Sequence, residues 1–167
     1  MSIKKNLSGF TLKIPLDSTH RYCQHLKKGI FSVDDTKMND KVKYWLDSSD
    51  EDMTVAQVLL DGKKYLYSGF MCHLAVEKAL KAVIARDCAD GEIPPKWHDL
   101  MRLAEKAALL TVLTEEQKSL LRNLNPLNIE ARYPEYKNKI AEIISKETCV
   151  KIISESEKFL CWIKKQL

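Results

Sequence analysis

The chain has 167 residues, of which 45% are hydrophobic and 30% are charged. This length and composition are typical of one folded domain and exclude a globally disordered protein. There are 27 basic and 23 acidic side chains, a formal net charge of +4. Seven of the basic and three of the acidic residues lie in residues 1–37, so residues 38–167 carry twenty of each sign. The main part of the chain is therefore not a generally basic nucleic-acid binder.

The cysteines and the apolar runs indicate the cellular compartment. The five cysteines form no CxxC pair, and no apolar run approaches the roughly 18 residues that a membrane span needs. The N-terminal residues also lack the apolar stretch of a secretory signal. We therefore expect a cytoplasmic protein with reduced thiols and no membrane segment.

The N-terminal segment differs in texture from the rest. Residues 1–37 show no sustained periodicity and contain turn-forming residues such as Pro15 and Gly29. Long stretches of helix formers follow Met38. We predict a leader at 1–37, whether an extension, an arm or a result of start-site choice, and a domain at 38–167.

Apolar residues recur at helical spacing through this domain, and strand-type alternation is absent, which predicts an all-α fold. A first helix is predicted over about residues 41–60 and a second over about 64–87. Gly62 is placed to end the first helix. The short connection predicts that the two helices pack antiparallel.

Three more helices are predicted towards the C-terminus. The third covers about residues 98–110, the fourth begins with a T-x-x-Q capping box at Thr114, and the last covers about 145–165. Pro126 is expected to interrupt the fourth helix. The whole pattern predicts an antiparallel up-and-down bundle of four to five main helices with short extra helices.

The second helix carries a polar stripe. His73, Glu77 and Lys81 are spaced four residues apart, so they share one helical face. Glu77 precedes Lys81 in the favourable order for an ion pair. One interpretation is a solvated stripe with a single ion pair. The other is that an imidazole, a carboxylate and an ammonium group face one ligand or partner.

Two further motifs allow both a structural and a binding interpretation. Asp99 can cap the third helix, and His98 either fixes that corner or helps to bind a phosphate or carboxylate at the helix start. Arg132 can contact a phosphate and Tyr133 can stack on a base. Alternatively, Arg132 holds a helix end while Tyr133 packs on the core before Pro134.

Other catalytic and metal signatures are absent. The sequence has no phosphate-binding glycine loop, no H-E-x-x-H and no G-x-S-x-G. His20, Cys23 and His25 in the leader fit no standard zinc spacing. We therefore predict neither a metal site nor a cofactor, and no catalytic residue is assigned.

One ordered set of motifs indicates a family. The segments stand in this order: YWL at 44–46, YSGF at 67–70, HLAVEKALKA at 73–82, HDL at 98–100 and EARYP at 130–134. This set strongly resembles the HEPN domain (higher eukaryotes and prokaryotes nucleotide-binding), over about residues 38–167. Each motif is weak alone, and the order makes the set specific.

The resemblance implies a helical bundle, usually a homodimer, that binds a nucleotide or a partner protein. Many small members work with a minimal nucleotidyltransferase, some as toxin–antitoxin pairs. Others are metal-independent ribonucleases with an R-x(4–6)-H motif. This domain departs from that motif, because eleven residues separate Arg86 from His98.

Three hypotheses follow from the resemblance. The first is a nucleotide-binding or partner-binding module, and the second is a ribonuclease toxin, acting on RNA, with a displaced active site. The third is a structural oligomerisation module. The positions matching the family, which the resemblance implies form a nucleotide- or partner-binding surface, are His73, Glu77, Lys78, Lys81, His98, Asp99, Arg132 and Tyr133.

Overall fold

The computed structural model describes residues 40–89, 92–130 and 144–167. In those ranges the regular structure is five α-helices without a strand, which confirms the all-α prediction. The helices in chain order are α1 (Asp40–Asp61), α2 (Tyr65–Asp87), α3 (Leu100–Lys106), α4 (Glu115–Glu130) and α5 (Lys146–Ile163). The predicted boundary at Met38 lies outside the described residues.

The turn between α1 and α2 is closed by backbone hydrogen bonds. The amide of Gly62 donates to Val58 O at 3.0 Å, and the amide of Lys64 donates to Leu59 O at 2.8 Å. The left-handed position belongs to Lys63, with φ 57°. The sequence places the helix end correctly at Gly62, although Lys63 adopts the unusual conformation.

Two serine hydroxyls join α1 to α2. Ser49 Oγ donates to Ala75 O and Ser68 Oγ donates to Ala56 O, each at 2.7 Å. The later residue of α1 meets the earlier residue of α2, so the helices are antiparallel as predicted. Both of these buried hydroxyls have a carbonyl acceptor, which offsets the cost of burying them.

The second helix is the centre of the bundle. α2 packs against each of the other four helices. At Gly69 it passes so close to α4 that an added Cβ would lie 2.9 Å from Leu127 Cδ1. A Cβ at this position would require the Leu127 side chain to shift. Polar groups in the middle of α2 are therefore close to neighbouring helices.

The prediction that Pro126 interrupts the fourth helix is wrong, because α4 is one helix with Pro126 inside it. Proline removes one backbone hydrogen bond and costs about 3 kcal/mol or more in a helix interior. Leu121, Leu124 and Leu127 are at most 5% exposed on either side of it. Burial of these leucines outweighs the local cost, since each fully buried leucine contributes about 1.5–3 kcal/mol.

The third helix is shorter than predicted. α3 ends at Lys106, and Ala108 follows in the left-handed region with φ 55°. The amide of Leu109 then donates to Ala104 O at 2.9 Å, which closes the helix end. The sequence predicted a longer helix because apolar residues recur at helical spacing up to Leu110. Leu109 is indeed buried, but it lies in the turn that follows α3.

The other helix starts agree with the sequence. Thr114 and Gln117 form the predicted capping box, with reciprocal bonds of 3.3 and 2.9 Å between each side chain and the other's amide. Ser145 caps α5 by accepting from the amide of Thr148 at 3.2 Å. No helix of the described part is both long and apolar enough to cross a membrane.

Candidate functional site

The polar stripe of α2 is buried. His73 is 0% exposed, and Glu77 and Lys81 are each 5% exposed. The expectation of a solvated stripe is therefore wrong, because α2 runs through the middle of the bundle and has no free face here. Burying three polar side chains is costly unless each finds a partner.

Glu77 is the acceptor that these side chains share. Lys81 Nζ donates to Glu77 Oε1 at 2.7 Å, the ion pair that the spacing predicted. His98 Nδ1 donates to Glu77 Oε2 at 3.0 Å. His73 Nε2 lies 3.5 Å from the same oxygen, a distance that is long for a hydrogen bond. We call these four residues the Glu77 cluster.

These donors keep Glu77 ionised. Burial raises its pKa, but the nearby His73 ring, the hydrogen bonds from Lys81 and His98 and the charge of Lys81 outweigh burial and lower the pKa to about 2. The carboxylate is therefore negative throughout the physiological range. Glu77 can therefore accept a hydrogen bond from a ring N–H group, as it does from His98.

His73 is held between two acceptors. Its Nδ1 lies 3.1 Å from Leu124 O in α4. A carbonyl oxygen only accepts, so Nδ1 carries a proton. The other nitrogen, Nε2, faces the carboxylate and has no other partner among the described residues. This fully buried ring ties α4 to the Glu77 cluster and is out of reach of a ligand.

His98 is the member of the cluster that reaches solvent. It lies in the segment before α3, and its side chain is 54% exposed. Glu77 accepts from Nδ1, so the second ring nitrogen, Nε2, is left for other partners. A buried carboxylate that fixes an imidazole in this way sets both its orientation and its tautomer.

A tryptophan covers the other end of the cluster. The ammonium group of Lys81 lies 5.4 Å from the ring centre of Trp45 in α1. The ring thereby provides a cation–π contact in addition to the ion pair. Trp45 is not among the predicted site residues, although an aromatic residue on the neighbouring helix of a hairpin was the available signal.

Lys78 faces away from the Glu77 cluster. Its ammonium lies 2.7 Å from Asp52 Oδ2 of α1 and donates to Ser48 O at 3.4 Å. Burial raises the pKa of Asp52 despite the hydrogen bond and charge of Lys78. This second pair joins α1 to α2 and is separate from the group around His98.

Asp99 and Asn125 build the corner beside His98. Asp99 Oδ1 accepts from the amide of Arg102 at 3.0 Å, the predicted cap, and from Asn125 Nδ2 at 3.3 Å. Asn125 Oδ1 accepts from the amide of Leu100 at 2.9 Å. Two of the helix-start amides, those of Leu100 and Arg102, therefore already have side-chain acceptors, which agrees with the structural interpretation of this corner.

Two of the predicted site residues, Arg132 and Tyr133, lie outside the described residues. Of the other six, the structure brings His73, Glu77, Lys81 and His98 together and leaves Lys78 and Asp99 in separate contacts. Within the described ranges, no group of three or more His, Cys, Asp or Glu residues could hold a metal ion.

Comparison with known proteins supports the fold and the family. The model of the HEPN domain matches residues 42–166. The crystal structure of TT1696 from Thermus thermophilus is similar, with a TM-score of 0.66 and 18% identity over 77% of this chain and 100% of that one. At this identity the likeness concerns the fold alone. No curated protein matches. Because the family model covers most of its length, the chain belongs to the HEPN domain family.

Proposed function

We propose that this protein is a HEPN-type nucleotide-binding module in which His98 contacts the ligand and Glu77 holds His98 in place. One observation carries the proposal: the 3.0 Å bond from His98 Nδ1 to Glu77 Oε2, with His98 half exposed. It supports binding because a surface imidazole is oriented by a buried anion. Family membership supports nucleotides as the ligand class.

The cluster also explains how His98 recognises a ligand. With Nδ1 donating to Glu77, a neutral ring offers the Nε2 lone pair to a ribose hydroxyl or a base amine. A protonated ring instead donates from Nε2 to a phosphate oxygen. Because Glu77 is itself buried against Lys81, its position is fixed before the ligand arrives.

Calorimetric titration with AMP, ATP and GTP tests this function. Substituting His98→Ala removes the contact and lowers affinity by about tenfold, the loss expected for one hydrogen bond to a charged group. Lys158→Ala, an exposed position on α5, is the matched control and binds as the unaltered protein does. No heat of binding with any nucleotide, or equal affinity in both variants, contradicts the proposal.

A homodimer is the proposed assembly. Tyr44, Val55 and Val58 lie on one face of α1 and are 65%, 38% and 50% exposed. Apolar residues grouped at helical spacing on a surface favour association. Size-exclusion chromatography with light scattering gives the mass of a dimer, and Tyr44→Ser with Val58→Ser shifts it to a monomer. A monomer at all concentrations contradicts this assembly.

The proposed partner of that dimer is a minimal nucleotidyltransferase, in a toxin–antitoxin pair. Family membership supports this partner, since the resemblance implies such a companion for many small HEPN proteins. The test is whether the adjacent gene encodes a small nucleotidyltransferase that co-purifies with the tagged full chain. A neighbouring gene of another kind, or no co-purification, contradicts the pairing.

Metal-independent RNA cleavage is the second candidate function. The observation in its favour is again the Glu77–His98 pair, since a carboxylate on Nδ1 is how many enzymes orient a general base. Labelled RNA incubated with the protein in EDTA is then cut, and His98→Ala or Arg132→Ala abolishes the cut. Intact RNA after incubation with the pure dimer contradicts this candidate.

A further inference from the structure

The surface has a cavity at Trp97, the residue that precedes His98 in the chain. Its volume is about 220 Å³, and it is lined by Trp97, Arg102, Glu105 and Lys106. The last three are spaced i, i+3 and i+4 on α3, so one helical face forms a wall. Trp97, the neighbour of His98 in the chain, forms another part of the lining and is 37% exposed.

The arginine in this cavity is oriented by the tryptophan. The guanidinium carbon of Arg102 lies 4.2 Å from the ring centre of Trp97, a stacking distance. Stacking uses the flat face of the guanidinium and leaves the N–H groups along its edge available. The guanidinium of Arg102 is therefore fixed at the cavity with N–H groups available to donate two hydrogen bonds to a phosphate.

Within the described part of the chain, the two positive charges of the cavity form no ion pair. Among the residues that the structure describes, neither Arg102 nor Lys106 has a carboxylate within 4.0 Å. The ammonium groups of Lys78 and Lys81 on α2, by contrast, each have one. Two such cations and one anion, Glu105, leave the cavity lining with a net charge of +1.

We propose that this cavity binds a free nucleoside phosphate, with the phosphate on Arg102 and Lys106 and the base against the exposed part of Trp97. The inference rests on the proposed nucleotide-binding function and extends it from His98 to a second wall. A volume of 220 Å³ is below the roughly 300–1,000 Å³ of pockets that enclose a whole drug-sized ligand. The cavity therefore holds part of one nucleotide, and the rest lies along the surface towards His98.

Isothermal titration of the full chain with AMP, adenosine and ribose 5-phosphate separates the parts of this site. AMP binds more tightly than either fragment, because adenosine lacks the phosphate and ribose 5-phosphate lacks the base. The double substitution Arg102→Gln with Lys106→Gln weakens AMP binding by at least about tenfold, since two charge-assisted contacts are lost. Arg122→Gln with Lys158→Gln removes the same charge outside the cavity and leaves AMP binding unchanged.

Trp97 provides an independent arm of the test. Trp97→Ala weakens AMP by about tenfold through loss of stacking, and Trp97→Phe retains most of the affinity. Circular dichroism at matched temperature confirms that each variant is folded. A folded Trp97→Ala variant with unaltered affinity overturns the placement of the base.

The outcomes distinguish this inference from the function on which it rests. If AMP binds to the original chain and to the Arg102/Lys106 variant equally, the cavity assignment is overturned and the proposed function stands. If no nucleotide binds to the original chain, both are overturned. If a single-stranded RNA oligonucleotide binds and AMP does not, the assignment of a free nucleotide is overturned.

Discussion

Two buried carboxylates on the facing helices α1 and α2 differ in the direction of their pKa shifts. The pKa of Asp52 is raised by burial, which outweighs its one cationic neighbour, Lys78. The pKa of Glu77 is lowered to about 2, although burial alone would raise it, as it does for Asp52. Glu77 has Lys81 and two imidazoles around it. The number of donors, rather than burial, decides which carboxylate is held as a fixed anion.

Of the substitutions at these two carboxylates, Glu77→Gln should cause the largest loss in the free energy of unfolding. It leaves Lys81 buried without a counter-ion, and breaking a buried pair by removing one partner costs about 3–5 kcal/mol. Urea denaturation measures the loss in the free energy of unfolding. Adding Lys81→Met removes the stranded charge and recovers part of it. A loss below about 1 kcal/mol in the single variant contradicts the central role of Glu77.

The pH dependence of stability should show the two carboxylates acting in opposite senses. The pKa of Glu77 falls from 4.5 to about 2 on folding, so its stabilisation is complete above pH 4.5 and is lost as pH falls towards 2. A shift of this size corresponds to about 3 kcal/mol. The pKa of Asp52 is above 3.8 in the folded state, so its ionisation destabilises the fold as pH rises.

Urea midpoints at pH 5 and pH 3 for the original chain and for Glu77→Gln check this expectation. The difference between the two proteins should shrink on acidification, because at pH 3 the Glu77 carboxyl is protonated in the unfolded chain but still largely ionised in the folded one. A difference that is the same at both pH values contradicts the lowered pKa of Glu77.

The stripe on α2 shows how far the sequence predicts this site. The spacing of His73, Glu77 and Lys81 was enough to predict that they share a helical face and that Glu77 pairs with Lys81. Both features depend on helix geometry alone. The contact of His98 with Glu77 joins residues 21 positions apart. No local period encodes it, because it depends on how α3 and α4 pack.

The errors have the same origin. Pro126 was expected to break α4 on local grounds, but the buried leucines around it keep the helix intact. Trp45 was not recognised as a neighbour of Lys81, since their contact crosses from α1 to α2. Local rules gave the helices and their faces, while the tertiary contacts decided which of those faces meet.

Asp52→Asn should give the smallest effect. Lys78 is 27% exposed at its side chain and can turn to water when its partner loses charge. Since burial already disfavours the ionised form of Asp52, we expect a change below about 1 kcal/mol in the free energy of unfolding. A loss as large as that of Glu77→Gln would show that the two carboxylates are equivalent, against the comparison above.

The most direct test is a nitrogen–proton NMR correlation spectrum of the His98 ring, recorded with and without AMP, with the signals assigned through His98→Gln. At a pH where the ring is neutral, the account predicts that Nδ1 carries the proton, because it donates to Glu77. It also predicts that the Nε2 signal moves when AMP is added. A proton on Nε2 in the neutral ring, or ring signals that do not respond to AMP, would contradict the claim that Glu77 holds His98 for a nucleotide.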